Sequence, residues 1–401
     1  MKIKPVILCG GSGTRLFPGL KNFPTKQFID FGGWTLFEKT LDRIVTKEFD
    51  TPIISTNEKY VNFVVKALRK KKITKYKIVL EPSKKNTAAA IICSSLLDEV
   101  KLNQPILFLP SDHFIRQKKI FNKILLSNQK NLSSKNIFIF GVKPKNSSSN
   151  YGYLINKKIN KNFNKVINFI EKPKKILAQK LIKNKALWNS GIVLARKDSI
   201  INNTKKKQKH LFLYCLKSLK KVNQNKKIIR LNKNFFDRIT SLSFDFAILE
   251  KVEEINSIPL NISWSDLGSW SEIFKILKSQ IKKNQIKKNT FYRPWGFYKN
   301  YFRKKKFLLK ELTINPKSSI SLQKHHHRAE HWTITKGKPK ITIGKSSFFR
   351  NIDESVFVPK GSVHRIENIY KKPVKIIEAQ LGNTLKENDI VRYKDIYGRV
   401  K

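Results

Sequence analysis

A glycine-rich turn near the start of the chain has residue types that suit phosphate binding. The apolar run Val6–Cys9 leads directly into a short segment that supplies small residues, a hydroxyl and a guanidinium: Gly10, Gly11, Gly13, Thr14 and Arg15. Glycines let backbone N–H groups approach a phosphate, and an arginine adds a fork-shaped cation. The turn matches neither a Walker loop nor the Gly-x-Gly-x-x-Gly dinucleotide pattern. These residues alone leave a phosphate loop and an ordinary strand-to-helix turn equally open.

A histidine cluster in the last quarter of the chain has the composition of a metal site. His325 and His327 are two residues apart, so on a β-strand they would face the same way and could share a metal. Glu330 and His364 would complete a set of three histidines and one glutamate. His326 or His331 could replace one of these ligands, and a cluster that only stabilises a barrel remains an alternative.

The residues that follow the glycine-rich turn make its interpretation more specific. The segment Gly10–Phe28 contains Lys26 and Gln27 and resembles the signature of sugar nucleotidyltransferases, which usually read Gly-Gly-x-Gly-Thr-Arg-Leu and then Pro-Lys-Gln. Thr25 stands where a proline is usual, and 19–21 replace a Leu-Ser-Arg-like run. The resemblance assigns Arg15 and Lys26 to the triphosphate and to the charge of the transition state.

Further segments occur in the order found in bacterial mannose-1-phosphate guanylyltransferases, which the chain resembles. Each is short and weak alone, and their joint occurrence is what makes the resemblance specific: Glu81–Ala88, Leu109–His113, Tyr151–Tyr153, Phe169–Pro173, Trp188–Ile192 and Trp264–Trp270.

The resemblance implies a role for particular residues in these segments. Such enzymes join a sugar 1-phosphate to the α-phosphorus of a nucleoside triphosphate, so they must screen negative charge and hold a divalent metal. Asp112 and Asp266 would hold Mg²⁺, and Lys172 would bind the sugar phosphate. The remaining substrate contacts are assigned to Glu81, Asn86, Gly152, Glu171 and Asn189. Simpler interpretations are a turn-capping Asp112, a surface ion pair for Glu171-Lys172 and a buried turn at 188–191.

The choice of base is less secure than the reaction. The Glu81–Ala90 segment points to GTP, but Lys85 stands where the family often has arginine and Ala89 where it has proline. No residue in the segment reads guanine O6 and N2 unambiguously.

The histidine cluster lies inside a second resemblance. Residues 292–399, from Tyr-Arg-Pro-Trp-Gly to Asp-Ile-Tyr-Gly-Arg, look like the mannose-6-phosphate isomerase domain of bifunctional type II enzymes, which is a cupin. That implies a divalent metal such as Zn²⁺ and the interconversion of mannose 6-phosphate and fructose 6-phosphate. An isomerase also needs an acid–base group, which the sequence does not identify. Lys317 stands where a glycine turn is usual.

The elements that must position these residues follow two patterns. Apolar strand-like runs alternate with helical segments through the first two-thirds, which predicts an α/β, Rossmann-like, mainly parallel sheet with ligands at the carboxyl ends of its strands. From Thr290 onward, short alternating segments predict an all-β cupin domain, a double-stranded β-helix. The predicted organisation is a transferase domain over 1–270, a lysine-rich linker over 271–289 and a cupin over 290–401.

The linker is several dozen residues shorter than type II enzymes commonly have. In the family this region helps the domains pack and associate, so its loss leaves a homo-oligomeric state open. It lies outside every predicted ligand, and we therefore expect catalysis to survive with lower stability.

Composition limits the remaining function classes. The 83 Lys+Arg residues against 28 Asp+Glu give a formal charge of +55, but the excess is mostly lysine spread along the whole chain. That distribution favours nonspecific attraction of anions over specific nucleic-acid recognition. Neither a membrane-length apolar run nor a secretory signal is visible, and three scattered cysteines suggest a cytoplasmic protein.

Three functions remain open on this basis. The first is a guanylyltransferase that makes GDP-mannose from GTP and mannose 1-phosphate and also isomerises mannose 6-phosphate. The second is a guanylyltransferase whose cupin is only structural. The third is a basic nucleic-acid-binding or regulatory protein on a decayed transferase fold.

Overall fold

The computed structural model describes residues 1–11, 25–31, 33–280, 289–394 and 396–398. They form two compact units: one contains 1–12 and 35–266, and the other contains 13–34 and 267–401. The division at 266 lies four residues before the predicted end of the first domain, and 13–34 group with the second unit.

The first unit alternates strands and helices, as its apolar patterning predicts. Its strands are β1 Lys4–Leu8, β2 Ile53–Thr56, β3 Lys77–Leu80, β4 Pro105–Pro110, β5 Phe114–Ile115, β6 Ile137–Val142, β7 Tyr153–Lys158, β8 Asn164–Ile170, β9 Leu187–Arg196, β10 Ile228–Arg230, β11 Ile255–Leu260 and β12 Trp264–Ser265. Its α-helices are α1 Leu36–Ile44, α2 Val61–Lys70, α3 Asn86–Ser95, α4 Lys118–Gln129, α5 Lys175–Lys183, α6 Lys197–Lys207, α7 Lys209–Ser218, α8 Lys233–Phe236 and α9 Phe244–Ala247. Short 3₁₀ turns span Glu58–Tyr60 and Leu249–Lys251.

Ten of these strands form one sheet in the order β10-β3-β2-β1-β4-β9-β6-β11-β8-β7. The block from β10 to β4 is parallel throughout, and β11 pairs parallel with β6. The intervening β9 runs antiparallel to β4 and β6. The sheet is therefore mixed around a parallel block, whose strands end at one edge, where such sheets bind ligands.

The parallel strands are continuous apolar runs because both faces of the sheet are covered. Val6, Ile53 and Val79 are fully buried in the core, together with Ala88 and Ile92 of α3. Helix α1 begins at a capping box in which Thr35 accepts the Glu38 N–H and the Glu38 carboxylate accepts the Thr35 N–H. Among the described residues, no helix is both long and apolar enough to cross a membrane.

The second unit is built mainly from antiparallel strands. Its strands are β13 Thr290–Arg293, β14 Gly296–Lys304, β15 Phe307–Ile314, β16 Ser318–Ser319, β17 Leu322–His325, β18 Arg328–Lys336, β19 Lys340–Ile343, β20 Ser346–Phe349, β21 Ser355–Val358, β22 His364–Asn368, β23 Val374–Gly382 and β24 Ile390–Lys394. They form the sheets β13-β14-β15-β23-β18-β21 and β20-β19-β22-β17-β24, with β16 on β22. Helix α10 spans Trp270–Gln280, and 3₁₀ turns span Lys26–Phe28 and Glu387–Asp389.

Buried side chains from both sheets fill this unit. Trp332 and Ile334 of β18 lie with Ile341 of β19 and Ile366 of β22 in one core. The predicted linker begins inside α10, whose Trp270 stacks on Phe307 with ring centres 5.3 Å apart. Residues 281–288 of that linker lie outside the described residues. An all-β domain after an α/β domain is therefore confirmed.

Candidate functional site

Asp112 lies directly after a central strand of the first unit. Strand β4 ends at Pro110, and the chain passes through Asp112 and His113 into the short strand β5. His113 Nε2 lies 3.8 Å from Asp112 Oδ1, and its ring meets the edge of Trp264 at 5.3 Å. The predicted position of Asp112 at the carboxyl end of its strand is confirmed.

Asp266 is brought to the same region by a two-stranded ladder. Strand β12 pairs with β5, with Ser265 opposite Phe114, so Asp266 follows a residue held against the Asp112 loop. Asp266 is buried, and the Tyr151 hydroxyl donates to its Oδ1 at 2.5 Å. Two carboxylates on paired segments supply the oxygen ligands that Mg²⁺ prefers. The donor set therefore fits a magnesium ion.

A second group of predicted residues meets around Asn189. The Asn189 N–H donates to Gly152 O at 2.8 Å, and the Gly191 N–H donates to Asn189 Oδ1 at 3.1 Å. A Cβ on Gly152 would lie 2.7 Å from Glu171 Oε2 and 2.9 Å from Phe169 Cζ, so a larger residue would force these side chains to shift. The structure therefore brings Gly152, Glu171 and Asn189 together.

Two aromatic contacts connect this group to the carboxylates. The Tyr151 ring lies 4.4 Å from Trp188 and 5.9 Å from Trp264. A Cβ on Gly191 would lie 3.6 Å from Pro110, in ordinary contact. Tyr151, which only accompanied Gly152 in the sequence, is therefore the side chain that links both groups.

Lys172 extends from this region towards solvent. Its Nζ pairs with Glu171 Oε1 at 3.0 Å, and its side chain is 62% exposed. Its backbone has a φ of 45°, a conformation that is uncommon outside glycine and is concentrated at functional sites. The exposed ammonium is free to contact an anionic ligand once that ligand displaces the ion pair.

Asp245 is a candidate site residue that the sequence did not reveal. Asn189 Nδ2 donates to Asp245 Oδ1 at 2.5 Å, which fixes the orientation of the amide. Burial and the nearby Glu171 carboxylate raise the pKa of Asp245 to about 6. A single aspartate in the short helix α9 carries no spacing pattern, so only the fold could identify it.

Glu81 and Asn86 lie at a different part of the same edge. Strand β3 is separated from β4 by β2 and β1, which is about 14 Å at the usual strand spacing. Glu81 is buried, accepts the Ser55 hydroxyl at 2.7 Å, and has a pKa raised by burial to about 7. Asn86 is exposed at the start of α3, with its Oδ1 accepting the Thr87 N–H.

The predicted phosphate loop is described only in part. Gly10 and Gly11 follow β1, and a Cβ on either would meet no described atom within 4 Å. Gly13, Thr14 and Arg15 lie outside the described residues. Lys26 is buried at the start of its 3₁₀ turn, in the second unit.

The second unit contains a compact cluster of metal-binding atoms. His325, Glu330 and His364 are all buried, and their ligand atoms lie within 4.8 Å of one another. His364 Nδ1 lies 2.8 Å from Ser362 O and His325 Nδ1 lies 3.3 Å from Asp389 O, as expected when both rings hold their proton on Nδ1. His364 Nε2 is buried without a hydrogen-bond partner among the described residues. An orphaned nitrogen beside a carboxylate fits a divalent metal.

Polar side chains surround the glutamate of this cluster. Glu330 accepts from Arg328 Nε at 3.2 Å, from Trp332 Nε1 at 3.1 Å and from Gln380 Nε2 at 3.0 Å. Although burial opposes it, His325 and Arg328 hold the pKa of Glu330 well below its usual range. Burial lowers the pKa of His364, which favours the neutral ring that binds metals. Arg328 and Gln380 were not selected from the sequence because neither belongs to a metal-ligand pattern.

His327 does not join this cluster, and the expectation of a shared strand face is wrong. Strand β17 ends at His325, and the chain then bends so that His326 and His327 are both exposed. The backbone N–H groups of these two residues donate to the Asp389 carboxylate at 3.1 and 3.2 Å, which holds the bend. His331, the other alternative, lies on the opposite face of β18, near Trp270.

Comparisons with known proteins agree with both units. Residues 4–283 match the family model for nucleotidyl transferases, and residues 280–395 match the one for the mannose-6-phosphate isomerase C-terminal domain. The chain is 30% identical to the xanthan biosynthesis protein XanB of Xanthomonas campestris pv. campestris, over 99% of each chain. It is 28% identical to the mannose-1-phosphate guanylyltransferase of Escherichia coli, over 100% of this chain and 99% of the relative.

A solved structure gives the same result. The crystal structure of mannose-6-phosphate isomerase from Helicobacter pylori matches 66% of this chain and all of that chain, with 25% identity and a TM-score of 0.58. The XanB alignment spans 464 positions, more than the 401 residues here, so that relative contains segments this chain lacks. Domains of both kinds generally use divalent metals. The chain therefore belongs to the nucleotidyl transferase family and carries, at its C-terminal end, a mannose-6-phosphate isomerase domain.

Proposed function

We propose that this chain transfers GMP from GTP to α-D-mannose 1-phosphate, forming GDP-mannose and pyrophosphate, and that its C-terminal domain interconverts mannose 6-phosphate and fructose 6-phosphate. The second reaction would supply the hexose phosphate from which the substrate of the first is made. The substrates are mannose phosphates and a nucleotide, and no specific nucleic acid takes part.

The observation that carries the transferase proposal is the meeting of three separate segments around Tyr151. This residue touches Trp188 and Trp264 and donates to Asp266, while its neighbour Gly152 binds Asn189. These segments lie far apart in the chain and had been selected only by their likeness to guanylyltransferases. A decayed fold would have no reason to keep their polar contacts together.

Each residue of this site has a task that suits its surroundings. Asp112 and Asp266 would hold Mg²⁺, which supplies charge stabilisation to the phosphates. Lys172 binds the phosphate of the sugar. Glu171 accepts hydrogen bonds from the sugar hydroxyls, and Asn189 donates to them. Arg15 and Lys26 bind the triphosphate, with the backbone of Gly10, Gly11, Gly13 and Thr14.

The GTP base is assigned to the edge formed by Glu81 and Asn86. This edge is about 14 Å from the Asp112 strand, so the base would lie apart from the proposed metal site. Both residues lie after β3, where parallel strands end and ligands bind.

For the isomerase, His325, Glu330 and His364 would hold a divalent ion such as Zn²⁺, which polarises the sugar carbonyl when bound. Arg328 keeps Glu330 ionised, and the Nδ1 contacts of both histidines orient their Nε2 atoms. We place the enzyme in the cytoplasm, in agreement with three free, buried cysteines.

The test is a direct assay of both reactions. Purified protein with Mg²⁺ and mannose 1-phosphate should release pyrophosphate with GTP and much less with ATP, CTP or UTP. The same protein loaded with Zn²⁺ should convert mannose 6-phosphate to fructose 6-phosphate. Failure with every sugar 1-phosphate would overturn the transferase, whereas failure of the second assay alone would leave a structural cupin.

A further inference from the structure

Arg43, on the last turn of α1, is a buried charge with no carboxylate partner among the described residues. Its side chain is 2% exposed, and the adjacent Asp42 pairs with Lys71 at 2.7 Å instead. Taking a cation out of water is costly, and a side chain needed only for packing would avoid that cost if it were apolar. Helix anchoring alone therefore does not explain an arginine here.

Its hydrogen bonds converge on the loop that carries Asp112. Arg43 Nη1 donates to His113 O at 3.3 Å, and Arg43 Nη2 donates to the Thr40 hydroxyl at 2.6 Å. The Thr40 hydroxyl is shared between Leu36 O at 3.1 Å and Ser111 O at 3.4 Å. The carbonyls immediately before and after Asp112 are thus both held by α1.

The loop held in this way also determines the position of Asp266. One residue beyond His113, β5 begins its pairing with β12, in which Ile115 lies opposite Trp264. The His113 ring touches Trp264 as well. A shift of the His113 backbone would therefore move the strand that ends next to Asp266.

The backbone of Arg43 is itself held by a neighbouring helix. Asn122 Nδ2, from α4, donates to Arg43 O at 3.0 Å. Arg43 Nε remains buried with no hydrogen-bond partner among the described residues, an unmet donor that an ordinary packing residue would not introduce. The guanidinium therefore makes one bond to the loop, at His113 O, and one to Thr40, whose hydroxyl also lies within hydrogen-bond distance of Ser111 O.

We propose that Arg43 and Thr40 are positioning residues that hold the Asp112 loop, and through β5 and β12 Asp266, at the spacing one divalent metal ion requires. The proposal rests on the assignment of these two aspartates to the metal site. Neither residue touches substrate or metal; both act through backbone carbonyls.

The test compares Arg43→Met, Arg43→Lys and Thr40→Val with a matched control, Thr204→Val. Thr204 is also fully buried and its hydroxyl donates to a carbonyl four residues earlier, Ile200 O at 2.7 Å, but it lies in α6, away from the loop. The first readout is Mn²⁺ affinity, measured by electron paramagnetic resonance of free Mn²⁺ with GDP-mannose present. The others are the Mg²⁺ concentration for half-maximal transferase activity and the thermal midpoint.

We expect Arg43→Met to weaken Mn²⁺ binding and raise the half-maximal Mg²⁺ concentration about tenfold, with the thermal midpoint little changed. Arg43→Lys should recover part of the loss. Thr40→Val should weaken Mn²⁺ binding and raise the half-maximal Mg²⁺ concentration about threefold, and Thr204→Val should change neither quantity.

Unchanged metal affinity in both Arg43→Met and Thr40→Val would overturn the proposal, even if the thermal midpoint falls. If Arg43→Met does not fold, Thr40→Val alone decides. Wild-type protein that neither binds Mn²⁺ nor releases pyrophosphate would instead disprove the proposed function, so the two failures are distinguishable.

Discussion

The two units build their candidate sites in opposite ways. In the first, charged side chains lie on loops after strand ends, and Lys172, the lysine proposed to bind the sugar phosphate, is 62% exposed. In the second, His325, Glu330 and His364 lie on or at the ends of strands inside the barrel and are no more than 2% exposed. The first arrangement suits large, charged substrates, whereas the second suits a small ion in a site formed by folding.

This difference determines what a substitution should do in each unit. Loop residues at strand ends bind ligands without supporting the core, so their loss should affect activity more than stability. Removing one member of a buried, hydrogen-bonded cluster leaves its partners unsatisfied and should affect metal content and stability together.

The largest effect is expected for Asp266→Asn. Removing one of two metal carboxylates should lower guanylyltransferase kcat by about 10³-fold, because the phosphate charge is then poorly stabilised. Isomerase activity should remain at the wild-type level. Pyrophosphate release and fructose 6-phosphate formation, measured on one preparation, check both; equal loss of the two activities would refute independent sites.

The reciprocal variant is His364→Ala. It removes the orphaned Nε2 from the buried cluster, so the affinity for Zn²⁺ should fall by about 10²-fold and isomerase activity should fall with it. Elemental analysis of the Zn²⁺ retained after dialysis provides the measurement. The transferase should keep its rate. A variant that retains stoichiometric metal would show that the cluster is not the metal site.

Glu81 limits this contrast because, like Asp266, it is a buried carboxyl in the loop-based site. Its pKa is raised by burial from 4.5 to about 7, so the folded state keeps a proton that the unfolded chain loses between these values. Stability should therefore fall by about 3 kcal/mol as pH rises from 4.5 to 7 and stay lower above 7. Urea unfolding at pH 5 and pH 8 should show this loss of stability in the wild type and not in Glu81→Gln. If the free energy of unfolding changed equally with pH in both proteins, the raised pKa would not belong to Glu81.

Lys172→Ala tests the role of the exposed lysine in the candidate site of the first unit. The KM for mannose 1-phosphate should rise about tenfold while the KM for GTP and the thermal midpoint stay unchanged, because an exposed lysine contributes a charge to the ligand and little to the fold. Steady-state kinetics with each substrate varied in turn provide the measurement. Unchanged activity would assign the Glu171–Lys172 pair to the protein surface.

Sequence reasoning predicted the placement of a candidate residue best where that residue sits in a contiguous string after a strand. Asp112 and Asp266 were selected this way, and strand-end placement follows from the alternation of elements. Asp245 and Arg43 were missed because each acts across the fold, and a lone charged residue in an apolar stretch carries no spacing signal. Only the packed structure shows what such residues contact.

His327 shows how one tertiary contact changes a predicted site. Two histidines at positions i and i+2 share a face only while the strand continues. Here β17 ends at His325, two residues before His327, and the Asp389 carboxylate accepts the backbone N–H groups of His326 and His327. Nothing near the histidines in sequence indicates a carboxylate more than 60 residues later.

The smallest effect is therefore expected for His327→Ala. Because this side chain is exposed and absent from the buried cluster, Zn²⁺ affinity and isomerase kcat should change less than about twofold, against the 10²-fold expected for His364→Ala. Elemental analysis of both variants, loaded and dialysed side by side, makes the comparison direct. A loss in His327→Ala equal to that in His364→Ala would mean that metal binding rebuilds the bend and brings the exposed ring inward. The cluster would then be completed by its ion, and the contrast between an open site and a preformed one would no longer hold.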